Sequence, residues 1–483
     1  MRWRGYLLAM QRPTSRRKFL RTATTAAAGF TIVPRHVLGG RGYRAPSDRL
    51  KILGVGAGGK GQSNLMPLDG EYVIGLCDID PVRATETYKH FKKAPQYTDY
   101  RKMYDRHLEE ADAVVVSTPD HTHAVASLAA LYAGKHVYCE KPLVHNIREA
   151  RLMTEAAAAN PNLVTQMGNQ GASGEGIRKI KEWLAADLIG EVHTMHAWTD
   201  RPVWPQGNPP PQTAEAKPDH LDWDSWIGPA QPVPYHHLYH PFAWRGWWDF
   251  GTGALGDMGC HLIDSAFYAL ELGYPTSAEA SVVPIYTRNW TPDYTPEACP
   301  VASKIILEFP ARGSKPPVKL TWHDGGLLPE RPDELAPDEL MGNGRSGVIL
   351  EGTKGKLMHD TYASNPRLLP LSRHEQERFP EPSLPRVETS HQLDWIAAIK
   401  EGRQTSSPFT KAGPLTETVL MGNLAVRAYD LQLPKTSGKD AETYRPGRTK
   451  LLWDGPNMKI TNLPELNFMV GREEYRAGWE LPS

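Results

Sequence analysis

The sequence predicts a doubly wound α/β domain with a parallel sheet, followed by an α+β domain with an open, mainly antiparallel sheet. Three observations carry this. Short apolar runs alternate with helix-patterned stretches between residues 51 and 139, as parallel strands with helical crossovers require. The first run, Lys51 to Gly56, passes straight into a glycine-rich turn. Further along, strand-like runs follow one another at 278–286, 303–309 and 318–322, a pattern suited to antiparallel pairing.

Composition narrows the functional classes. The 483 residues are 40% apolar and 23% charged, those of a globular chain large enough for two or three domains. Lys plus Arg and Asp plus Glu balance at 55 each, so no global field favours nucleic acid or an anionic membrane surface. The expected partner is a small, weakly charged molecule. Cys77, Cys139, Cys260 and Cys299 lie far apart, which fits neither a disulfide framework nor a zinc site.

Residues 1–45 read as a signal and linker. Ser15-Arg16-Arg17-Lys18-Phe19-Leu20 precedes a weakly apolar run from Thr22 to Val33, the twin-arginine export pattern. That run is too short for a stable membrane span, which takes about 20 residues. Export in folded form by the twin-arginine machinery, to the periplasm, is the expectation. The alternative is a disordered basic tail.

Residues 48–165 read as the first domain. Gly56-x-Gly58-x-x-Gly61 follows a strand and opens a helix, so its backbone amides are placed to approach a pyrophosphate. The register Gly54, Gly56, Gly59 would put the first glycine inside the strand. The next strand, 72–77, ends at Asp78, where a carboxylate accepts from ribose hydroxyls and repels a 2′-phosphate. NAD is therefore expected over NADP. A buried-type strand at 113–118, a helix at 124–133 and a strand at 136–139 continue the alternation, leaving Thr118-Pro119-Asp120-His121-Thr122-His123 and Glu140-Lys141-Pro142 at the ligand-binding edge of the sheet.

Residues 166–390 read as a second, substrate-binding domain. A helix is expected at 175–186 and a strand at 193–198, then a long aromatic, proline-rich excursion from Arg201 to Trp248. Loops of this length in compact domains are usually functional. Arg201, Trp204, His240, Trp244, Arg245 and Trp248 place ring faces beside hydrogen-bonding groups, an arrangement suited to a carbohydrate. Each tryptophan taken singly reads equally as core packing. The histidines are irregularly spaced, and no metal is expected. Next, Asp257, His261 and Asp264 fall at i, i+4 and i+7 on an otherwise apolar helix over 253–270, one polar stripe. Read blandly, Asp257 caps that helix and His261 is a core residue. A hairpin is expected at 348–357, helices at 391–400 and 414–429, and residues 433–483 form an extension without assignment.

The glycine motif, Asp78, the Thr-Pro-x-x-x-His stretch, Glu140-Lys141-Pro142 and Asp257-x-x-x-His261 together resemble the glucose–fructose oxidoreductase and inositol dehydrogenase (Gfo/Idh/MocA) family over about residues 48–432. The resemblance implies a homodimer or homotetramer assembled through the second sheet, and helices over 391–432 that return to the first domain. It also implies a tightly bound NAD contacted by Gly56, Gly58, Gly61, Asp78, Thr118, Pro119, His123, Glu140 and Lys141, with Lys141, Asp257 and His261 as catalytic residues. His261, with an ordinary pKa near 6.5, takes a hydroxyl proton; Lys141 steadies the oxygen; Asp257 orients the imidazole or a neighbouring hydroxyl. The implied reaction is oxidation of a sugar, polyol or glycoside hydroxyl. Two other readings stay open: a redox-neutral glycosidase that oxidises transiently and eliminates, and a sugar-binding protein without catalysis.

Overall fold

The computed structural model describes residues 48–434 and 443–482; the predicted export segment lies outside them. From Lys51 onward the chain forms one compact unit. Six parallel strands, β1 Lys51–Val55, β2 Tyr72–Cys77, β3 Gln96–Tyr97, β4 Ala113–Val116, β5 His136–Cys139 and β6 Thr165–Met167, run in the order β3-β2-β1-β4-β5-β6. Their crossovers include α1 Lys60–Leu65, α2 His123–Tyr132 and α3 Ile147–Ala159. The strand order reverses between β1 and β4, the point where such sheets bind ligands beyond their carboxyl ends. β6 straddles the boundary expected at 165, and pairs with β5 as the last strand of this sheet.

Both β1 and β4 are buried along nearly their whole length, which is why they read as continuous apolar runs rather than alternating ones. β4 is two residues shorter than expected. Ser117 still donates its amide to Val55, after which the chain turns into the ligand edge.

The second sheet has nine strands: β7 Val192–Trp198, β8 Ser277–Val282, β9 Ser303–Phe309, β10 Val318–His323, β11 Gly347–Gly352, β12 Gly355–His359, β13 Arg367–Leu369, β16 Leu451–Asp454 and β17 Lys459–Ile460. Their order is β13-β12-β11-β7-β10-β9-β8-β16-β17, while β14 Leu433–Pro434 and β15 Thr443–Tyr444 make a separate ladder. All pairs in the large sheet are antiparallel except β7 with β10. β8 stops at Val282, short of the expected 286, because Pro284 has no N–H to continue the ladder. The unassigned extension gains a role here, since Leu451 and Leu452 pair with Ala278 and Ser277 and lengthen the sheet.

The helices connect the two sheets. α4 Glu175–Ala185 precedes β7, while α5 Gly253–Leu262 and α6 Asp264–Leu270 divide the single helix expected over 253–270 at Ile263. α7 His391–Glu401 and α8 Phe409–Asp430 follow the second sheet. α8 lies close along α3: a Cβ on Gly413 would stand 1.8 Å from Thr154 Oγ1. Thr405 Oγ1 and the Phe409 amide bond to Thr165 in β6.

Candidate active site

The turn after β1 has the geometry of the preferred glycine register. Gly54 is inside β1, whereas Gly56 takes φ +82° directly after it, a conformation that favours glycine. A Cβ on Gly61 would lie 1.8 Å from the Gly56 carbonyl, so the turn and α1 can approach only without a side chain. Asp78, at the end of β2, braces this loop: Oδ2 accepts from the Ala57 and Gly58 amides at 2.9 and 2.7 Å, and Oδ1 from Asp80. Burial raises its pKa, against the pull of those amides. Carboxylate oxygens have lone pairs beyond these bonds, so the side chain can still accept from a ribose.

From this loop a single cleft of about 480 Å³ runs to the start of the second domain. Gly56, Gly58, Asp78, Thr118, Pro119, Glu140 and Lys141 line it from the first domain; Arg201, His240, Trp244, Arg245, Asp257 and His261 line it from the other side. Its volume falls in the range of small-molecule sites, about 300–1,000 Å³.

At its centre Lys141 Nζ donates to Asp257 Oδ1 at 2.9 Å and to the Asp257 carbonyl at 2.6 Å. Arg245 Nε donates to the same Oδ1 at 3.2 Å, and Arg201 Nε lies 3.8 Å from Oδ2. Burial pushes the Asp257 carboxyl up, but Lys141 and Arg245 outweigh it and hold it far below the usual carboxylate range. Burial likewise disfavours the Lys141 ammonium, yet Asp257 keeps its pKa above the ordinary value. His261, one helical turn on from Asp257, is 6% exposed. Burial, reinforced by the Lys141 charge, holds its pKa well below 6.5. The site therefore presents a neutral imidazole and a fixed ammonium at neutral pH. Asp257 makes its bonds to Lys141 and Arg245, and His261 Nδ1 has no hydrogen-bond partner among the described residues, so the carboxylate orients the lysine; of the two expected roles, orienting the imidazole or a neighbouring hydroxyl, the first is not seen.

Several expected residues stand outside the cleft. Gly61 packs α1 against the turn. His123 has the Pro142 carbonyl at Nδ1 and the Thr118 carbonyl at Nε2, both 2.8 Å away, and so fastens the two edge loops together. Asp264 begins α6 beyond the break at Ile263, where Asn169 Nδ2 bonds it at 2.8 Å and Lys411 pairs with it at 3.2 Å. Trp204 bonds Gln206 through its indole at 2.8 Å and lies behind Arg245. Trp248 packs in the main core beside Arg427. Most of the excursion's aromatic residues form a core of their own, with Trp223 stacked on Trp226 at 4.4 Å and Trp244, Trp247 and Phe250 in the same cluster. Only Trp226 and Trp244 of the excursion's tryptophans also face the cleft.

Tyr362, Arg83 and Trp479 line the cleft without having been expected. Tyr362, at φ +64°, meets the His261 ring edge-on at 4.6 Å. A bulky residue in that backbone conformation is rare and marks sites under constraint, and no motif around Tyr362 signals it in the sequence. Trp479 stands near the end of the sequence, beyond every motif.

The residues present fit a dinucleotide. Thr118 Oγ1, Trp226 Nε1 and His261 Nδ1, all on residues lining the cleft, are buried without a partner among the described residues, which leaves them for water or a bound molecule to satisfy. The glycine turn and Asp78 supply the remaining contacts.

Comparison with known proteins agrees. The family profile described as "Oxidoreductase family, NAD-binding Rossmann fold" matches residues 49–167, and "Oxidoreductase family, C-terminal alpha/beta domain" matches residues 184–306. A levoglucosan dehydrogenase of Pseudarthrobacter phenanthrenivorans is 26% identical over 219 residues, 45% of this chain and 46% of that protein. A glycosyl hydrolase family 109 protein of Shewanella pealeana is 29% identical over 210 residues, 38% of this chain and 46% of that protein. The chain thus matches about half the length of these curated relatives. A solved levoglucosan dehydrogenase, in complex with NADH and levoglucosan, superposes with a TM-score of 0.51 at 19% identity, covering 78% of this chain and 97% of that one, which shows a shared fold.

Proposed function

Because the chain belongs to the Gfo/Idh/MocA family of oxidoreductases and carries its NAD-binding Rossmann fold, we propose that it oxidises a hydroxyl of a sugar, polyol or glycoside. The observation that carries this reading is the continuity of one cleft from the glycine turn to the Lys141–Asp257 pair and His261. NAD, when bound, supplies the hydride acceptor. His261, kept neutral by burial, takes the hydroxyl proton. Lys141, kept charged by Asp257, donates to the same oxygen and stabilises its growing negative charge. Arg245, on the same oxygen as the lysine, helps to keep Asp257 ionised, and Arg201 stands 3.8 Å from the other oxygen. Trp244 offers an apolar ring, and His240, whose pKa burial lowers to about 4, a neutral polar group to the bound sugar. The twin-arginine pattern supports export with the cofactor already held.

A second reading is favoured by the glycosyl hydrolase relative: the same residues promote transient oxidation, loss of the adjacent C–H proton with departure of the glycosidic group as its alcohol, addition of water to the double bond so formed, and return of the hydride. One experiment separates them. The protein is purified without added cofactor, released nucleotide is identified by mass, and the native form is assayed with levoglucosan, myo-inositol and aryl glycosides. Bound or bindable NAD with lasting nicotinamide reduction supports oxidation, and glycoside cleavage without it supports the second reading. Absence of nucleotide together with no affinity for NAD would overturn both.

A further inference from the structure

A second cavity, of about 300 Å³, lies between α8, the start of α3, the Gly251–Thr252 lead into α5 and the chain after Phe468. It shares no lining residue with the cleft. Two guanidinium groups face it, Arg427 from α8 and Arg472 from the extension. Arg427 has no hydrogen bond or ion pair among the described residues; its one contact of note is the Trp248 ring at 5.7 Å. Arg472 donates from Nη2 to the Asp249 carbonyl at 3.0 Å, while its Nε is buried without a partner among the described residues. Among the described residues His145 Nε2 is buried without a partner as well.

The acids nearby offset this charge only in part. Asp249 acts favourably on Arg427 and Glu149 on Arg472 through space, but Asp249, Glu473 and Glu474 are exposed, and neither arginine forms an ion pair among the described residues. Glu149 is engaged by Tyr475 Oη at 2.7 Å and the His145 amide at 3.1 Å. The two guanidinium groups are half-buried and repel each other unless something anionic meets them, and their planar forks match a carboxylate or phosphate. Asn146 and Ile147, at the start of α3, line the same cavity, and Asn146 Nδ2 is buried there without a partner among the described residues. Burial, with the charges of Arg472 and Arg427, holds His145 well below its ordinary pKa, leaving it a neutral hydrogen-bonding group.

We propose that this cavity is a second ligand site, for an oxyanion of about monosaccharide size whose carboxylate or phosphate is held by Arg427 and Arg472. The volume is at the lower end for small-molecule sites, larger than an inorganic ion needs. Bound there, the anion would adjoin Thr252, whose hydroxyl bonds Asp120 at 2.6 Å and whose carbonyl accepts from Asn423 at 2.9 Å, directly before the helix that carries Asp257 and His261.

Calorimetric titration of the full chain in low-salt buffer with gluconate, glucose 6-phosphate and glucose tests this. One or both anions are expected to bind at least about tenfold more tightly than glucose, the stronger of the two identifying carboxylate or phosphate as the preferred group. R427Q and R472Q should each weaken anion binding by about tenfold or more, while H261A, in the cleft, leaves it unchanged. Since an unpaired cation is removed, R427M without ligand should melt no lower than wild type; if it fails to fold, R472Q alone decides. Equal binding of glucose and both anions, anion affinity unaffected by R472Q, or loss of binding in H261A would overturn the proposal.

Discussion

Replacing Asp257 with Asn tests the central pair most directly, because the change keeps shape and removes one charge. In the wild type, Lys141 Nζ lies 2.9 Å from Asp257 Oδ1 with both side chains 13% exposed. At that distance, with an effective dielectric of about 20, the attraction is about 6 kcal/mol. Breaking buried pairs by removing one partner typically costs about 3–5 kcal/mol. In D257N the new side-chain amide oxygen and the backbone carbonyl still accept from the ammonium, but burial and Arg245 then act on Lys141 against the weaker pull of Glu140. At about 1.4 kcal/mol per pH unit, the alkaline limb of the kcat/KM profile should move acidward by two or more units. The acid limb, set by His261, should move the same way, since Asp257 also favours the imidazolium. Initial rates across pH with the best substrate from the panel above measure this. Mass-spectrometric acetylation of Lys141 as a function of pH measures it without substrate, and should show the amine becoming reactive at lower pH. A uniform loss of activity, with neither limb shifted and no change in Lys141 reactivity, would refute the argument that Asp257 acts by holding the lysine charged.

Other outcomes follow from the same geometry. D78S should raise the affinity for NADP relative to NAD by at least about tenfold, because Arg83, whose backbone carbonyl and guanidinium flank Gly58 and Gly59, already lines the cleft; nucleotide fluorescence titration reads the ratio. G61A places a methyl where the Gly56 carbonyl stands, and should cost about 1–3 kcal/mol in denaturant unfolding together with most of the NAD affinity. Asp324, whose carboxyl burial pushes up to about 6, binds its proton more tightly folded than unfolded. It therefore withdraws stability as pH rises from about 4 to about 6, roughly 3 kcal/mol in all, and the difference between wild type and D324N in urea unfolding should narrow or reverse across that window. W479A removes the ring that packs on Tyr100 at 5.8 Å and under Arg101 at 3.8 Å; stopped-flow displacement should show NAD leaving about tenfold faster.

What could be read from the sequence follows how locally each feature is determined. The glycine register was legible because Gly56 and Gly61 must lie within five residues of each other to make one turn, and strand burial left β1 and β4 as unbroken apolar runs. Asp257 and His261 were legible as a pair, four residues apart on one helix. Asp264 was not separable from them, because the break at Ile263 leaves no mark in an apolar pattern; it is fixed by Asn169 and Lys411, 95 and 147 positions away. The tryptophan-rich excursion could be recognised as a whole but not resolved, since a ring facing a sugar and a ring stacked on its neighbour have the same composition. Tyr362 and Trp479 reach the cleft through tertiary packing alone. The edge loops are intermediate: their position at the sheet edge was predictable, but the double carbonyl contact that turns His123 into a clamp rather than a cleft residue depends on where Pro142 lies.

The extension ties these pieces together in a way that bears on the choice between the two proposed reactions. Arg476 bonds the Gly228 carbonyl at 2.8 Å and pairs with Asp224 at 2.5 Å, both in the excursion, while Arg101 of the first domain donates to the Gly478 carbonyl at 2.8 Å. The last described residues thus bridge the excursion and the Rossmann domain beside Tyr100 and Trp479, which line the cleft along with Asp78. These bonds stand beside the part of the cleft that Asp78 lines, so the rate of NAD release from W479A, set against that of the wild type, reads how far they retain it. A protein that keeps its cofactor between turnovers must reoxidise it in place, either by a second substrate or by returning the hydride to the first. Retention is therefore more useful to a self-recycling or redox-neutral enzyme than to a dehydrogenase that exchanges NAD each cycle, and the rate of nucleotide release, set against the rate of substrate turnover, is the quantity that decides between them.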